Sequence, residues 1–218
     1  KGSEWFALSL YSMENLDNIG FRVGPKCSDY DKKILKMATQ KVLRDKLPCL
    51  YKYNPKLALA WALNVLENKN VLVCEVNLTT LHRILGVDRG KTGAFTWPFP
   101  GSPTYFLGAR PQTLKKEGYN EKTIVSNVAS ALFHEVFHNL GLALHKKHGK
   151  KYTDATYGCQ LLCENSTYYA YHPIINYQKS CESCLKVRVR GRPTSKKSDL
   201  DIVRTCKAFV KTQPSLFK

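Results

Sequence analysis

The stretch EKTIVSNVASALFHEVFHNLGL, residues 121–142, is the longest periodic segment of the chain and decides which fold it can adopt. At about 100° per residue, its larger apolar side chains, from Val125 to Leu140, fall on one broad arc, which predicts an amphipathic helix. The opposite arc carries small and polar residues, among them His134 and His138. A polar second face of this kind is typical of a helix that borders a cleft.

Within this helix, His134, Glu135 and His138 form an HExxH motif. Residues four apart on a helix lie one above the other, so both imidazoles can point at one Zn²⁺ from a common face. Glu135 would be the general base that takes a proton from the zinc-activated water and passes it to the leaving amine. The motif therefore predicts a catalytic zinc site that hydrolyses peptide bonds.

The string from residue 134 to 142 resembles the active-site helix of the zincin metallopeptidases, and in particular that of the metzincins. In that family a glycine, here Gly141, turns the chain so that a third histidine reaches the metal. The family's third-ligand position is Leu144 in this chain, and the histidine follows one residue later, at His145. The methionine turn has no counterpart, since no Met follows Met37. The resemblance implies an α+β zincin-like fold, in which a small mixed sheet accompanies the HExxH helix and further helices lie on both sides.

Residues 153–158 are similar to the aspzincin pattern. In that pattern an Asp supplies the third ligand and is followed by two further residues and then Tyr-Gly. Asp154, Tyr157 and Gly158 match this pattern, whereas residues 151–152 replace its usual Gly-Thr. The similarity implies Asp154 as the alternative third ligand to His145, because zinc accepts a carboxylate as readily as an imidazole. If His145 binds the metal, Asp154 would instead accept a hydrogen bond from a ligand imidazole. Tyr157 is our candidate donor to the tetrahedral oxyanion.

The cysteine content points to an oxidising compartment. An even count of 8 Cys in 218 residues favours four disulfides and a secreted, periplasmic or extracellular protein. Two closely spaced pairs of cysteines follow the active-site helix, Cys159 with Cys163 and Cys181 with Cys184. We expect two disulfides between the first pair and the second. We favour these bonds over the alternative, a second, structural zinc ion held by the same four thiolates. The remaining pairs would form among Cys27, Cys49, Cys74 and Cys206.

The net charge is strongly positive, with 34 Lys+Arg against 17 Asp+Glu, or +17. This charge favours contact with an anionic surface or a cell-envelope polymer. The basic runs carry no recognised nucleic-acid motif, so we do not expect nucleic acid as a partner. No run approaches the roughly 18 apolar residues of a membrane span. The chain starts at Lys1 and not at Met, and no apolar leader follows, so either a signal peptide has been removed or the sequence lacks one, and we favour export.

The remaining patterns predict one domain over residues 1–218, with a Cys-rich C-terminal subdomain over 155–218 as the alternative division. Helices are predicted from Ser28 to a stop at Pro48 and from Pro55, capped by Asn54, to about residue 67. Strands are predicted at residues 71–76, 105–109 and 186–190, an ordered loop at 92–103, and helices near 80–85 and 199–210. A peptide substrate would lie along residues 105–109 if they form an edge strand.

Together these patterns predict a secreted zinc-dependent endopeptidase whose substrate is a protein or peptide. The alternative is a basic protein that binds an anionic envelope polymer or nucleic acid and whose zinc site is structural or degenerate.

Overall fold

The computed structural model describes residues 21–23, 27–67, 70–74, 94–96, 104–107, 110–142, 147–164, 175–188 and 204. Helices dominate this part of the chain. They are α1 (Asp29–Lys41), α2 (Leu47–Tyr53), α3 (Pro55–Glu67), α4 (Arg110–Lys116), α5 (Glu121–Asn139), α6 (Ala155–Leu162) and α7 (Tyr177–Lys186). The described strands are β1 (Phe21–Val23), β2 (Asn70–Val73), β3 (Ala94–Thr96), β4 (Thr104–Leu107), β5 (Lys147–His148) and β6 (Lys151–Tyr152).

Helix α1 begins at the predicted cap but does not end at Pro48. Ser28 and Asp31 form a capping box, in which the Ser28 Oγ accepts from the Asp31 backbone N–H at 3.2 Å and Asp31 Oδ2 accepts from the Ser28 N–H at 2.9 Å. The chain continues through a π-helical turn, Val42–Lys46, directly into α2. Pro48 lies in the first turn of α2, where its missing N–H costs no hydrogen bond. The predicted stop at this proline is therefore wrong.

Helix α3 has the bounds and the cap that the sequence predicts. Asn54 Oδ1 accepts from the Leu57 backbone N–H at 3.2 Å. Farther along this helix, the Trp61 indole N–H donates to the Phe133 carbonyl of α5 at 3.1 Å, and both side chains are fully buried. Helix α5 packs against α1, α3, α4, α6 and β3, so the predicted active-site helix runs through the centre of the core.

Four of the described strands form one mixed sheet with the order β1-β2-β4-β3. Strand β2 is parallel to both β1 and β4, and β3 is antiparallel to β4, with Phe95 opposite Phe106. The loop predicted for residues 92–103 thus contains strand β3. Residues 105–107 lie in β4, which pairs on both sides, so the prediction that residues 105–109 are an edge strand is wrong for the part described. Among the described strands, β3 occupies that edge.

A separate hairpin follows helix α5, and its strands, β5 and β6, have two residues each. Gly149 lies in its turn and adopts the positive φ, +62°, that the turn requires.

Three disulfides are described, which confirms the prediction of disulfide bonding. They join Cys27 to Cys74, Cys49 to Cys163, and Cys159 to Cys184. The prediction of two bonds between the pairs 159/163 and 181/184 is wrong for Cys163, since the partner of Cys163 lies on α2. Cys181 is buried on α7, and Cys206 lies outside the described residues.

Helices α6 and α7 share the main core with α1, α3 and α5, through residues such as Leu162 and Leu185. Three predicted elements lie wholly or mostly outside the described residues: the helices at 80–85 and 199–210 and the strand at 186–190. None of the helices described combines the length and the apolar character that a membrane crossing requires.

Candidate functional site

Helix α5 holds the HExxH residues between two well-formed ends. At its start, Asn120 Oδ1 accepts from the Thr123 N–H at 2.9 Å. At its end, the Gly141 N–H reaches the His138 carbonyl at 3.0 Å and the Leu142 N–H reaches the Phe137 carbonyl at 3.1 Å, which is a Schellman motif. Gly141 adopts a φ of +77°, as the predicted glycine turn requires. Helix α5 therefore ends within one turn of His138, and residues 143–146, which include His145, lie outside the described part.

The two histidines of the motif face each other. Their Nε2 atoms are 3.2 Å apart, and their ring centroids are 5.0 Å apart at an interplanar angle of 72°. Two imidazole nitrogens that bind one tetrahedral Zn²⁺ at about 2.0–2.1 Å are separated by about 3.3–3.4 Å. The distance between the two Nε2 atoms is thus close to that between two imidazole nitrogens on one zinc ion.

A third side chain, Gln160 of α6, orients the first of these rings. Its Oε1 lies 2.7 Å from His134 Nδ1, and both residues are buried. An amide oxygen only accepts, so this contact places a proton on Nδ1 and leaves the lone pair of a neutral ring on Nε2. That is the tautomer required of a histidine that binds metal through Nε2. Gln160 could not be predicted from the sequence, because no spacing rule connects an amide to a histidine 26 residues away.

Glu135 is adjacent to His134 along α5, and Tyr157 contacts the His134 ring. Glu135 follows His134 on α5 and is buried, with 8% of its surface exposed. The Tyr157 ring of α6 lies 5.0 Å from the His134 ring and 5.3 Å from the Tyr152 ring, measured between centroids. The structure therefore brings the predicted oxyanion donor next to the first predicted ligand. The catalytic roles of Glu135 and Tyr157 stay predictions.

Asp154 occupies the N-cap of α6, where its Oδ1 accepts from the Tyr157 backbone N–H at 3.0 Å. Across the part of the chain that the structure describes, no group of three or more His, Cys, Asp or Glu side chains is arranged to hold a metal ion. Asp154 is thus not brought together with His134 and His138 into such a group. The third ligand, Asp154 or His145, stays a prediction.

The alternative of a four-thiolate zinc site finds no support in the cysteine pairing. Cys159, Cys163 and Cys184 are all oxidised in disulfides, which leaves these three sulfurs without the thiolate that zinc binds.

Helix α6, which carries both Gln160 and Tyr157, is fixed against α7 at very short range. A Cβ on Gly158 would overlap the Ser180 backbone carbonyl, so only glycine permits this approach. The Cys159–Cys184 disulfide joins the same two helices. The glycine of the Tyr-Gly pair therefore has a packing role in placing Gln160 and Tyr157.

Comparison of this chain with protein-family models, with curated proteins and with solved structures finds no match. Any functional conclusion therefore depends on the geometry of this site and on the two short motifs.

Proposed function

We propose that this protein is a zinc-dependent endopeptidase in which His134 and His138 bind the metal and Glu135 is the general base. One observation carries the proposal: the two Nε2 atoms lie 3.2 Å apart while the other nitrogen of His134 is bound to the Gln160 carbonyl. One divalent cation between the two Nε2 atoms would account for both contacts.

A direct hydrogen bond between the rings is the competing explanation for the same distance. It would require the proton of His138 to lie on Nε2 and to point at the lone pair of His134. Metal binding requires both Nε2 atoms to present lone pairs, and the Gln160 contact already prepares one of them. Metal analysis, described below, separates the two explanations.

In the proposed site each residue has a distinct task. A bound Zn²⁺ would polarise the scissile carbonyl and acidify a water molecule. Glu135 accepts a proton from the attacking water and delivers it to the leaving amine. Tyr157, held beside His134, donates to the oxyanion. The third ligand is either His145, which follows the turn at Gly141, or Asp154 at the start of α6.

The arrangement of the sheet suits an extended peptide substrate. Strand β3 is the antiparallel edge among the described strands, and it packs against α5, the helix of the HExxH motif. A peptide that pairs with the outer side of β3 would be added to the sheet by backbone hydrogen bonds. We propose on this basis that the fold is zincin-like and that β3, rather than β4, aligns the substrate.

The disulfides and the positive net charge support a proposal for the location of the enzyme. Three disulfides favour secretion or an extracellular or periplasmic location. The net charge of +17 would hold the enzyme on an anionic cell-envelope polymer, where it meets protein substrates.

The decisive experiment combines metal content with turnover. We expect one zinc per chain, cleavage of a peptide library that stops on chelation, and recovery of cleavage on addition of zinc. Glu135→Gln should keep the zinc and lower kcat by about 10²–10⁴-fold, because only the proton acceptor is lost. Glu117→Gln is the control, since Glu117 is exposed at the end of α4 and should leave both properties unchanged.

The same experiment tests the alternative function, which the charge of +17 favours. A zinc-loaded protein that binds an anionic polymer, cleaves no peptide and is indifferent to Glu135→Gln would be a binding protein with a structural site. A protein that takes up no zinc at all contradicts the enzyme proposal outright.

The third ligand needs variants that keep the helix cap. Asp154→Ser retains a good N-cap for α6 and removes the carboxylate. A loss of zinc in Asp154→Ser, with zinc kept in His145→Ala, would identify Asp154, and the reverse result would identify His145.

A further inference from the structure

A buried ion pair lies beside the candidate site, in the interior of the protein. Lys46 Nζ is 3.1 Å from Glu164 Oε1, and each side chain is only 2% exposed. The second oxygen of the Glu164 carboxylate accepts a hydrogen bond from the Ser130 hydroxyl of α5. We call Lys46, Glu164 and Ser130 the charged cluster.

Stability alone does not explain this cluster. Removing two charges from water is costly, and a well-packed apolar pair of similar volume is often as stable as a buried ion pair or more so. This cost is visible at the Lys46 ammonium. Burial lowers the pKa of Lys46, and the nearby Glu164 carboxylate acts in the opposite direction but does not cancel the effect. A buried charge pair does, however, specify how two elements align, because displacement leaves an unpaired charge.

The charged cluster is aligned with the histidine site along α5 and the segment 155–164. Ser130 precedes His134 by four residues on α5, and Glu164 follows Gln160 by four residues along the segment that begins with α6. The contacts Ser130–Glu164 and His134–Gln160 are therefore successive connections, about one turn apart, between antiparallel segments.

These two contacts restrict any sliding of the segment 155–164 along α5. A shift of one residue along a helix moves a side chain by about 1.5 Å and rotates it by about 100°. The contact between Gln160 Oε1 and His134 Nδ1 is 2.7 Å long, and such bonds are weak beyond about 3.2 Å. If the segment 155–164 slipped by one residue along α5 at Glu164, the contact between Gln160 and His134 would therefore break.

We propose that Glu164 is a positioning residue, which fixes the register of α6 on α5 through Ser130 and Lys46 and thereby keeps Gln160 on His134. Glu164 acts through Gln160 and does not touch substrate or metal. The inference deepens the proposed function, but its central claim concerns the orientation of His134 and can be read without any metal.

The test replaces the charged pair by an apolar one of similar size, Lys46→Met with Glu164→Leu. This double variant should fold, because no buried charge remains. In metal-free protein, ¹⁵N NMR of the His134 ring should show the Nδ1–H tautomer in the wild type and a mixture of tautomers in the variant. Zinc affinity, measured by competition with a chelator, should fall about 10–100-fold.

The control applies the same substitutions to an exposed pair. Lys41 and Asp45 are 3.1 Å apart near the surface, and Lys41→Met with Asp45→Leu should change neither the tautomer nor the affinity. If the double variant at Lys46 and Glu164 folds and keeps the wild-type tautomer, the proposal is overturned.

A second variant decides the matter if the double variant does not fold. Ser130→Ala removes only the hydroxyl that anchors Glu164 to α5, and it should also mix the tautomers of His134. An unchanged tautomer in Ser130→Ala would contradict the proposal. If wild-type protein binds no zinc, the enzyme proposal fails, while the tautomer comparison in metal-free protein still decides the role of Glu164.

Discussion

Two buried polar clusters lie between α5 and the segment 155–164, about one helical turn apart, and they are built on opposite principles. In the charged cluster, the ammonium of Lys46, the carboxylate of Glu164 and the hydroxyl of Ser130 compensate one another within the protein. In the histidine cluster of His134, His138 and Gln160, the Gln160 carbonyl contacts His134 Nδ1, and the Nε2 atoms of the two rings lie 3.2 Å apart. The first arrangement pairs opposite charges, whereas the second brings together two ring nitrogens, which in our proposal would bind a cation. The same pair of segments thus carries both clusters.

The segment 155–164, which begins with α6, is common to both clusters, and it is fixed from two sides. The Cys49–Cys163 disulfide joins its C-terminal end to α2, next to Glu164, and the Cys159–Cys184 disulfide joins it to α7, next to Gln160. Variants that loosen α6 on one side or the other should therefore affect the two clusters differently.

The largest effect is expected from loss of the disulfide beside the charged cluster. Cys49 and Cys163 are separated by 114 residues, and loop-closure entropy for such a span contributes up to about 5 kcal/mol to the free energy of unfolding. The double change to Ala should lower that free energy by this order, measured by guanidinium unfolding.

The comparison is with Cys159 and Cys184, whose separation of 25 residues corresponds to about 3.5 kcal/mol. Removing the shorter link should cost less stability but should weaken zinc binding more, since Gln160 is adjacent. The opposite ranking in either measurement would contradict this assignment of the two disulfides.

A smaller effect is expected at Gly158, where α6 touches the backbone of α7. Gly158→Ala places a methyl group against the Ser180 carbonyl, and overpacking of this kind costs about 1–3 kcal/mol. The melting temperature should fall by about 2–4 °C for each kcal/mol. Gly149→Ala is the control, since a Cβ at that turn meets no atom within 4 Å and only its positive φ resists the change. Equal losses in the two variants would contradict the close contact.

The sequence predicts the histidine cluster only in part. The HExxH spacing and the helical periodicity place His134 and His138 on one face of α5, because both signals are local along the chain. Gln160 and Glu164 could not be predicted, since they reach α5 from the segment 155–164, which is distant along the chain, and amide and carboxylate side chains are usually solvated. Helix α6 itself was not predicted, because its eight residues are too few for a periodic signal.

The disulfides show the same limit. Their presence follows from the number of cysteines, whereas their pairing depends on the tertiary fold. Cys163 lies four residues from Cys159, yet its partner on α2 is 114 residues away.

The role of Gln160 can be measured separately from stability. Gln160→Met keeps the length of the side chain but removes the acceptor from His134 Nδ1, so zinc affinity should fall about 10–100-fold with little change in fold. Gln160→Glu should retain binding, because a carboxylate is an even better acceptor. The control is Gln178→Met on α7, where the exposed amide donates to Glu182 Oε1 at 3.1 Å. If both Met variants bind zinc like the wild type, Gln160 does not orient the ligand.

The smallest effect concerns the pH dependence of the charged cluster. Burial lowers the pKa of Lys46 below its usual 10.5, so between the folded-state pKa and 10.5 the unfolded chain binds more protons at this site. Stability should therefore rise with pH across this window in the wild type, relative to the variant with Met at 46 and Leu at 164. Urea unfolding of both proteins at a series of alkaline pH values measures the difference. A difference that falls with pH would mean that Glu164 raises the pKa of Lys46 overall. The charged cluster would then be net stabilising, and its presence would no longer need the alignment of α6 as its reason.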